Sequence, residues 1–202
     1  MTNLRTDLME NKNWLLWETV STRVLADCKI FSVKKVVSTS KCTQRKEGKF
    51  YTLSCGDWVN IIALTDENEV IMVEQYRHGI EDLTLEIPGG CVDNTDIDAH
   101  AAAIRELREE TGCVAERWTL LGKNHPNPAL QNNLCYTYLA EGVRQLESPR
   151  FDNSGTERIG IRTVALREID ESIRTGIITH SLVITAFHYL ALARPELLQS
   201  AL

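Results

Sequence analysis

The chain lacks the features that mark membrane and secreted proteins. None of its hydrophobic runs approaches the roughly 20 residues that a membrane-spanning helix requires. Its six cysteines form no CxxC pair, and residues 1–13 are mostly polar and charged, unlike a secretory signal peptide. We therefore expect a cytoplasmic protein with no membrane segment, whose thiols are reduced and mostly buried.

A surplus of basic residues is also missing. The chain has 22 lysines and arginines against 28 aspartates and glutamates, which gives a formal net charge of −6 at pH 7. That balance argues against a broad nucleic-acid-binding surface, although a few arginines can still serve a phosphate site. The sequence contains no internal repeat or low-complexity segment, and its 202 residues suit one domain with an added N-terminal element.

The most informative feature present is a glycine turn followed by an acidic helix, within residues 89–114. Each residue of an α-helix advances by about 100°, so Glu106, Glu109 and Glu110 fall on one arc about 100° wide. Like charges four residues apart cost an isolated helix roughly a few tenths of a kcal/mol, and a cation would offset that cost. Carboxylate oxygens suit Mg²⁺, which usually binds through a few carboxylates, waters and substrate phosphates.

The same helical wheel predicts the surroundings of these carboxylates. Leu107 and Ile104 form a separate apolar stripe that is expected to face a core. Asp96 or Asp98 is expected to cap the N-terminus, and Gly112 stands where a C-terminal glycine cap belongs. Three small residues are expected to leave room above the carboxylates, namely Ala99, Ala102 and Ala103.

Residues Arg105–Gly112 resemble the second half of the signature of the Nudix hydrolases. That half reads Arg-Glu, an aliphatic residue, any residue, Glu-Glu, any residue and Gly, followed by an aliphatic position that Cys113 occupies here. The first half differs, because Asp96 replaces a glutamate and eight residues rather than seven separate it from Arg105. A one-residue insertion before the helix explains this spacing and leaves the register of the carboxylates intact.

The resemblance implies roles for the residues of this element. Arg105, Glu106, Glu109 and Glu110 would be catalytic, and either Glu109 or a loop carboxylate would accept a proton from water. Arg105 lies four residues before Glu109, so we expect it to orient that carboxylate. The metal would be Mg²⁺, with Mn²⁺ as an alternative. Its ligands would be the three glutamates, the backbone carbonyl of Gly89 and a later carboxylate, for which Glu157 is the first candidate and Glu147 and Asp152 are alternatives.

A second motif resembles the branch of the family that acts on nucleotide sugars, including ADP-ribose. Gln75-Tyr76-Arg77 ends a predicted strand, and Glu86-Ile87-Pro88-Gly89-Gly90 begins nine positions after the arginine. Arg77 offers a fork of donors suited to a diphosphate. Glu86 would hydrogen-bond either ribose hydroxyls or a neighbouring arginine. The resemblance thus makes Arg77 and Glu86 candidate substrate-binding residues.

The activity that these resemblances imply is hydrolysis of a phosphoanhydride in a nucleoside-diphosphate sugar such as ADP-ribose. The products would be a nucleoside monophosphate and a sugar phosphate. Two other functions remain open at the level of the sequence. One is a house-cleaning hydrolase of nucleoside triphosphates or dinucleotides, and the other is a catalytically inactive Nudix domain that senses its ligand.

The pattern of elements predicts an α/β fold, an α/β/α sandwich around a mixed sheet. Besides the acidic helix, strands are predicted at 14–20, 30–38, 49–53, 57–64, 69–76, 83–86, 117–121, 134–140 and 157–164, and helices at 166–175 and 181–194. The Nudix resemblance covers roughly residues 57–193, so we divide the chain into N-terminal strands, 1–56, and a Nudix domain, 57–202. In the ADP-ribose pyrophosphatase branch, such strands form a small extra antiparallel sheet that contributes to a homodimer.

Overall fold

The computed structural model describes residues 12–42, 44–150 and 158–199. These residues fold as two compact units. The first contains the described residues up to Cys55 together with Asn127–Asn133, and the second contains the remaining described residues. Each unit is built around its own β-sheet.

The first unit is a small antiparallel sheet of three strands, as predicted. A 3-10 turn at Asn13–Leu15 precedes its strands, which pair in chain order: β1 (Trp17–Asp27), β2 (Phe31–Ser40) and β3 (Glu47–Cys55). The predicted start of the first strand at residue 14 is wrong, because the 3-10 turn occupies that position. Its predicted end at residue 20 is also wrong, because β-branched residues continue along the strand and favour extended backbone.

The second unit is a seven-stranded mixed sheet flanked by helices. The strands that follow β3 in the chain are β4 (Trp58–Leu64), β5 (Glu69–Arg77), β6 (Asp82–Glu86), β7 (Gly89–Cys91), β8 (Cys113–Val114), β9 (Arg117–Asn124), β10 (Cys135–Glu141), β11 (Arg144–Gln145) and β12 (Ile159–Ala165). The sheet has the order β12-β5-β4-β10-β9, with β6 paired to β5 and β7 paired to β4. Strands β4 and β10 run parallel, and the other neighbours are antiparallel. Strands β8 and β11 form a separate ribbon.

The helices of this unit cover both faces of its sheet. They are α1 (Ala99–Thr111), α2 (Ile169–Arg174), α3 (Ser181–Ala193) and α4 (Pro195–Gln199). Val59, Ile61 and Ala63 of β4 pack in one core cluster with α1, whereas Ile62 and Leu64 pack in another with α3. Because successive residues of a strand point to opposite faces, β4 contributes to both cores. The predicted α/β/α sandwich is therefore confirmed. Of the helices that the structure describes, none is long and apolar enough to cross a membrane.

The face of α1 that packs on the sheet differs from the predicted one. Ala102, Ala103 and Leu107 are fully buried, whereas 42% of Ile104 is exposed to solvent. Small alanine side chains let the helix lie close to β4, so the alanine side makes the core contact and Ile104 faces outward. The predicted apolar stripe is right for Leu107 and wrong for Ile104. The expectation of open room is wrong for Ala102 and Ala103 for the same reason, because both are covered by the core, whereas Ala99 is partly buried.

The cysteines are less buried than predicted. Cys113 and Cys135 are buried, but Cys28 and Cys91 are exposed and the other two are half-buried. All six are free thiols. Burial raises the pKa of the Cys135 thiol to about 12, with a further contribution from the negative charge of a nearby aspartate. The prediction that most of the thiols are buried is wrong.

Candidate functional site

Two glycines let strand β7 lie directly beside helix α1. Gly89 and Gly90 pair with Asn60 and Val59 of β4. A Cβ atom on Gly90 would lie 2.4 Å from Glu106 Oε1, and one on Gly89 would lie 2.3 Å from the Val59 carbonyl oxygen. A larger residue would therefore displace a carboxylate at position 90 and collide with backbone at position 89. Glycine is therefore required at both positions, so that β7 can lie close to β4 and to the Glu106 carboxylate.

The three glutamates of α1 differ sharply in exposure. Glu110 is 6% exposed, and its Oε2 accepts a hydrogen bond of 2.9 Å from the Gly89 N–H. The side chain of Glu106 is 14% exposed, and that of Glu109 is 45% exposed. Glu110 is thus buried beside β7, Glu106 is mostly buried, and Glu109 is the carboxylate most exposed to solvent.

Arg105 ties the outer carboxylates to the loop before the helix. Its Nη1 donates to Glu106 Oε1 at 2.9 Å and to Glu109 Oε2 at 3.0 Å, and its Nη2 donates to the Cys91 carbonyl at 2.9 Å. Its Nε and Nη2 also donate to the two oxygens of Asp96, at 3.1 and 2.9 Å. These interactions, the bond to Asp96 foremost, raise the pKa of Arg105 above its usual value despite partial desolvation. One permanently charged guanidinium thus holds three carboxylates.

Asp96, which the signature leaves without an assigned role, is the anchor of Arg105. Its side chain is 6% exposed and also accepts a hydrogen bond of 2.8 Å from the Asp93 N–H. The hydrogen bond from Arg105 lowers the pKa of Asp96, which keeps the carboxylate charged. The helix cap is Asp98, whose Oδ1 accepts from the Ala101 N–H at 2.8 Å. The two aspartates before α1 therefore have separate tasks.

Arg77 and Glu86 form a bidentate ion pair between β5 and β6. Arg77 Nε and Nη2 donate to the two oxygens of Glu86, each at 2.7 Å, and Thr84 Oγ1 donates to Glu86 at 2.5 Å. Burial acts to raise the pKa of Glu86, but the hydrogen bonds from Arg77 and Thr84 and the charges of Arg77 and His180 lower it below its usual value. Of the two partners expected for Glu86, the structure shows the neighbouring arginine.

Sequence reasoning missed two neighbours of this pair. Thr84 precedes Glu86 by two residues on β6, so both side chains lie on the same face of the strand. This spacing is enough to predict that the two side chains are neighbours. His180, whose Nε2 lies 4.0 Å from Glu86 Oε2, comes from far along the chain, just before α3. No local pattern relates His180 to β6.

The lowered pKa of Glu86 predicts a loss of stability in acid. The interactions of Glu86 stabilise the fold above the ordinary pKa of about 4.5 and are lost as the pH falls through the lower folded value. Glu86→Gln lacks this titration. We expect the difference in unfolding free energy between wild type and Glu86→Gln to be largest near neutral pH and to shrink below pH 4.5. Chemical denaturation across this range measures it, and a constant difference would contradict the prediction.

The later carboxylates considered as metal ligands fall into two groups. Glu157 and Asp152 lie outside the described residues. Glu147 is described, and its carboxylate accepts hydrogen bonds from Arg108 Nε at 2.5 Å and from Arg150 Nη2. The hydrogen bond from Arg108 lowers the pKa of Glu147 below its usual value. Glu147 is therefore a partner of two arginines beside α1.

The donor set of α1 fits a hard divalent cation, although its side chains have other partners in this structure. Among the described residues, no group of three or more His, Cys, Asp or Glu side chains stands in metal-ligating geometry. The reason is that Arg105 holds Glu106 and Glu109 while Gly89 holds Glu110. Carboxylate oxygens are nevertheless the ligands that such a cation prefers. Gly90 has no side chain that would occupy the space beside the Glu106 carboxylate.

Known proteins resemble this chain in the region that forms the site. The NUDIX domain family model matches residues 57–182. An ADP-ribose pyrophosphatase of Bacillus subtilis (strain 168) is 35% identical over 92 residues, which cover 46% of this chain and 49% of that protein. One of Mycobacterium tuberculosis (strain ATCC 25618 / H37Rv) is 36% identical over 91 residues, which cover 45% of this chain and 44% of that protein. The chain thus spans about half the length of these two relatives.

Two further similarities extend over more of the chain. A methanol dehydrogenase activator of Bacillus methanolicus is 32% identical over 134 residues, which cover 66% of this chain and 71% of that protein. The crystal structure of an ADP compounds hydrolase shares the fold, with a TM-score of 0.77 at 18% identity over 92% of this chain and 97% of the other. Because the family model matches more than half of the residues, and the fold and the glycine–helix element agree with it, the chain belongs to the Nudix family.

Proposed function

We propose that the protein hydrolyses the diphosphate of a nucleoside-diphosphate sugar such as ADP-ribose, releasing a nucleoside monophosphate and a sugar phosphate. The observation that carries this proposal is the packing of Glu106 and Glu110 against the glycines of β7. Relatives named ADP-ribose pyrophosphatase support the choice of substrate, as does the partly exposed guanidinium side chain of Arg77. Together these features supply a cation site and a cationic contact for a diphosphate.

Nudix hydrolases generally use divalent metal ions, and we propose Mg²⁺ for this protein, with Mn²⁺ as a substitute. The proposed ligands are Glu106, Glu109, Glu110, the backbone carbonyl of Gly89, and Glu157. When bound, such a cation would offset the negative charge of the diphosphate and lower the pKa of a water molecule.

The protein's own residues prepare this chemistry. The Gly89 N–H holds Glu110 in place, and Arg105, fixed by Asp96, holds Glu106 and Glu109. We propose Glu109 as the group that accepts a proton from the attacking water. Its side chain is more exposed than those of the other two glutamates, so a water molecule can reach it.

Arg77 is proposed to bind the substrate diphosphate, and Glu86 to position Arg77. The side chain of Arg77 is 43% exposed, whereas that of Glu86 is 5% exposed. Both oxygens of Glu86 accept hydrogen bonds from Arg77, and one also accepts from Thr84. A ribose hydroxyl would have to displace one of these donors, so a positioning role for Glu86 suits the structure better than a direct ribose contact.

A hydrolysis panel with Mg²⁺ tests the proposed function. The substrates are ADP-ribose, other nucleotide sugars, dinucleotides and nucleoside triphosphates. We expect AMP and ribose 5-phosphate from ADP-ribose as the dominant reaction. Pyrophosphate release from triphosphates as the main activity would instead assign a house-cleaning hydrolase. Tight binding of ADP-ribose without Mg²⁺-dependent hydrolysis would assign a ligand sensor.

We also propose that the chain divides into N-terminal strands, residues 1–56, and a Nudix domain, residues 57–202.

The N-terminal sheet is proposed to be the contact surface of a homodimer. Every residue of edge strand β1 is exposed, including Trp17, Val20 and Val24. Exposed apolar residues on an edge strand are a ready surface for a second chain. We expect sedimentation velocity to give a dimer of the 22.8 kDa chain, and Val24→Lys to shift it toward monomer with unchanged circular dichroism. A monomeric wild type at micromolar concentration would contradict this prediction.

A cytoplasmic location is proposed because all six cysteines are free thiols. Free thiols are typical of a reducing compartment. Fractionation of cells that produce the protein tests this location.

A further inference from the structure

The last turn of α1 is capped by the chain segment Leu146–Arg150. The final carbonyl groups of a helix have no partner within the helix. Here the carbonyl of Gly112 accepts from the N–H groups of Leu146 at 2.9 Å and Glu147 at 3.2 Å, and the carbonyl of Glu109 accepts from the Arg150 N–H at 2.7 Å. Gly112, with a φ of 71°, ends the helix as predicted and brings these carbonyls to the segment. The segment therefore supports the turn that carries Glu109 and Glu110.

Glu147 adds the side-chain bonds between this segment and the helix. Its carboxylate accepts from Arg108 of α1 and from Arg150 of the segment itself. The carboxyl side chain is 20% exposed, while the side chains of Arg108 and Arg150 are 49% and 67% exposed. Hydrogen bonds between ionised groups are stronger than neutral ones. Without the charge of Glu147, the two guanidiniums would repel each other across the junction.

Glu109 lies between this cluster and Arg105. Its carboxylate accepts a hydrogen bond from the Arg105 guanidinium, and its main-chain carbonyl accepts one from the main-chain N–H of Arg150. Glu109, Glu147 and the three arginines line one surface depression of about 320 Å³. If Arg150 moved away, the Glu109 carbonyl would lose its partner, and the end of the helix would be free to fray.

We propose that Glu147 is a positioning residue for the cation site of α1. By holding Arg108 and Arg150 together, it fixes the last helical turn, which carries the proposed cation ligands Glu109 and Glu110. This inference rests on the proposed cation site but not on the identity of the substrate. A purely structural residue would lower stability when replaced, whereas a positioning residue also weakens cation binding.

Mn²⁺ binding, measured by calorimetry and by the spin-resonance signal of the free ion, tests this role without requiring turnover. We expect Glu147→Gln to weaken Mn²⁺ affinity about tenfold, as for other groups that orient metal ligands. Glu147→Asp keeps the charge on a shorter side chain and should lose less Mn²⁺ affinity than Glu147→Gln. In steady-state assays, the Mg²⁺ concentration for half-maximal rate should rise, while KM for the nucleotide at saturating Mg²⁺ stays near wild type.

Glu171→Gln is the matched control, because it removes a carboxylate from an exposed pair with Arg174 on α2. Its Mn²⁺ affinity should equal that of the wild type. Unchanged affinity in Glu147→Gln, with or without a lower melting temperature, would overturn the proposal. If Glu147→Gln does not fold, unchanged affinity in Glu147→Asp would overturn it. Wild-type protein that binds Mn²⁺ but does not hydrolyse ADP-ribose would refute the proposed function alone, whereas wild-type protein that does not bind Mn²⁺ would refute both.

Discussion

Replacing Glu110 by glutamine is expected to reduce turnover by about 10²–10⁴-fold while the fold persists. This loss corresponds to about 2.7–5.4 kcal/mol of transition-state stabilisation, since a tenfold change is about 1.36 kcal/mol. Glutamine keeps the shape of the side chain, and its amide oxygen can still accept the Gly89 N–H bond. Because Glu110 is 6% exposed, the change also removes a buried charge, so the melting temperature should not fall.

Glu109→Gln should reduce turnover by a similar factor. Glu109 is both a proposed cation ligand and the proposed proton acceptor. The measurements are kcat at saturating Mg²⁺ and a thermal melt of each variant. Glu171→Gln, on the exposed side of α2, should match the wild type in both. Near-wild-type turnover in both Glu109→Gln and Glu110→Gln would refute the assignment of α1 as the cation site.

Gly90→Ala is expected to lower turnover about 100-fold with little loss of stability, because a displacement of about 1 Å in a catalytic group can cost that much. The added Cβ would lie 2.4 Å from Glu106 Oε1. A carboxylate at the end of a flexible side chain can move away, so the fold survives while the proposed ligand leaves its place. Kinetics, Mn²⁺ titration and thermal melts of the same preparation measure the three quantities.

Gly89→Ala provides the contrast, because its Cβ would lie 2.3 Å from the Val59 carbonyl oxygen and 3.2 Å from the Asn60 Cα. Backbone in the middle of a sheet cannot move aside, and overpacking of this kind costs about 1–3 kcal/mol. We therefore expect Gly89→Ala to melt at a lower temperature than Gly90→Ala. Equal melting temperatures, or full activity in Gly90→Ala, would show that β7 does not hold the carboxylates as described.

The features that could be predicted from the sequence are those that depend on near neighbours. The helical wheel indicated that Glu106, Glu109 and Glu110 share one side of α1, and the end of the helix at Gly112 follows from backbone preference. The nearly continuous apolar run of β4 indicated a buried strand. The wheel does not decide which arc faces the sheet. Ile104 faces solvent because the small alanines, rather than the largest apolar residues, allow the closest packing.

The partners of the charged residues could not be predicted in the same way. Arg105 has Asp96 as a partner nine residues earlier, and Arg108 has Glu147 as a partner 39 residues later. Many carboxylates are available in an acidic chain, and sequence spacing does not select among them. The choice depends on where the loop before α1 and the segment after β11 come to lie.

By itself, the sequence determined the family resemblance, the α/β/α fold class, the register of the acidic helix and its glycine neighbours, because each depends on short-range pattern and backbone preference. Only the tertiary structure decided that Asp96 anchors Arg105, that Glu86 is bound by Arg77, and that Glu147 joins Arg108 to Arg150. The physical reason is that an ion pair forms between groups that the packing of whole strands and helices brings within hydrogen-bonding distance.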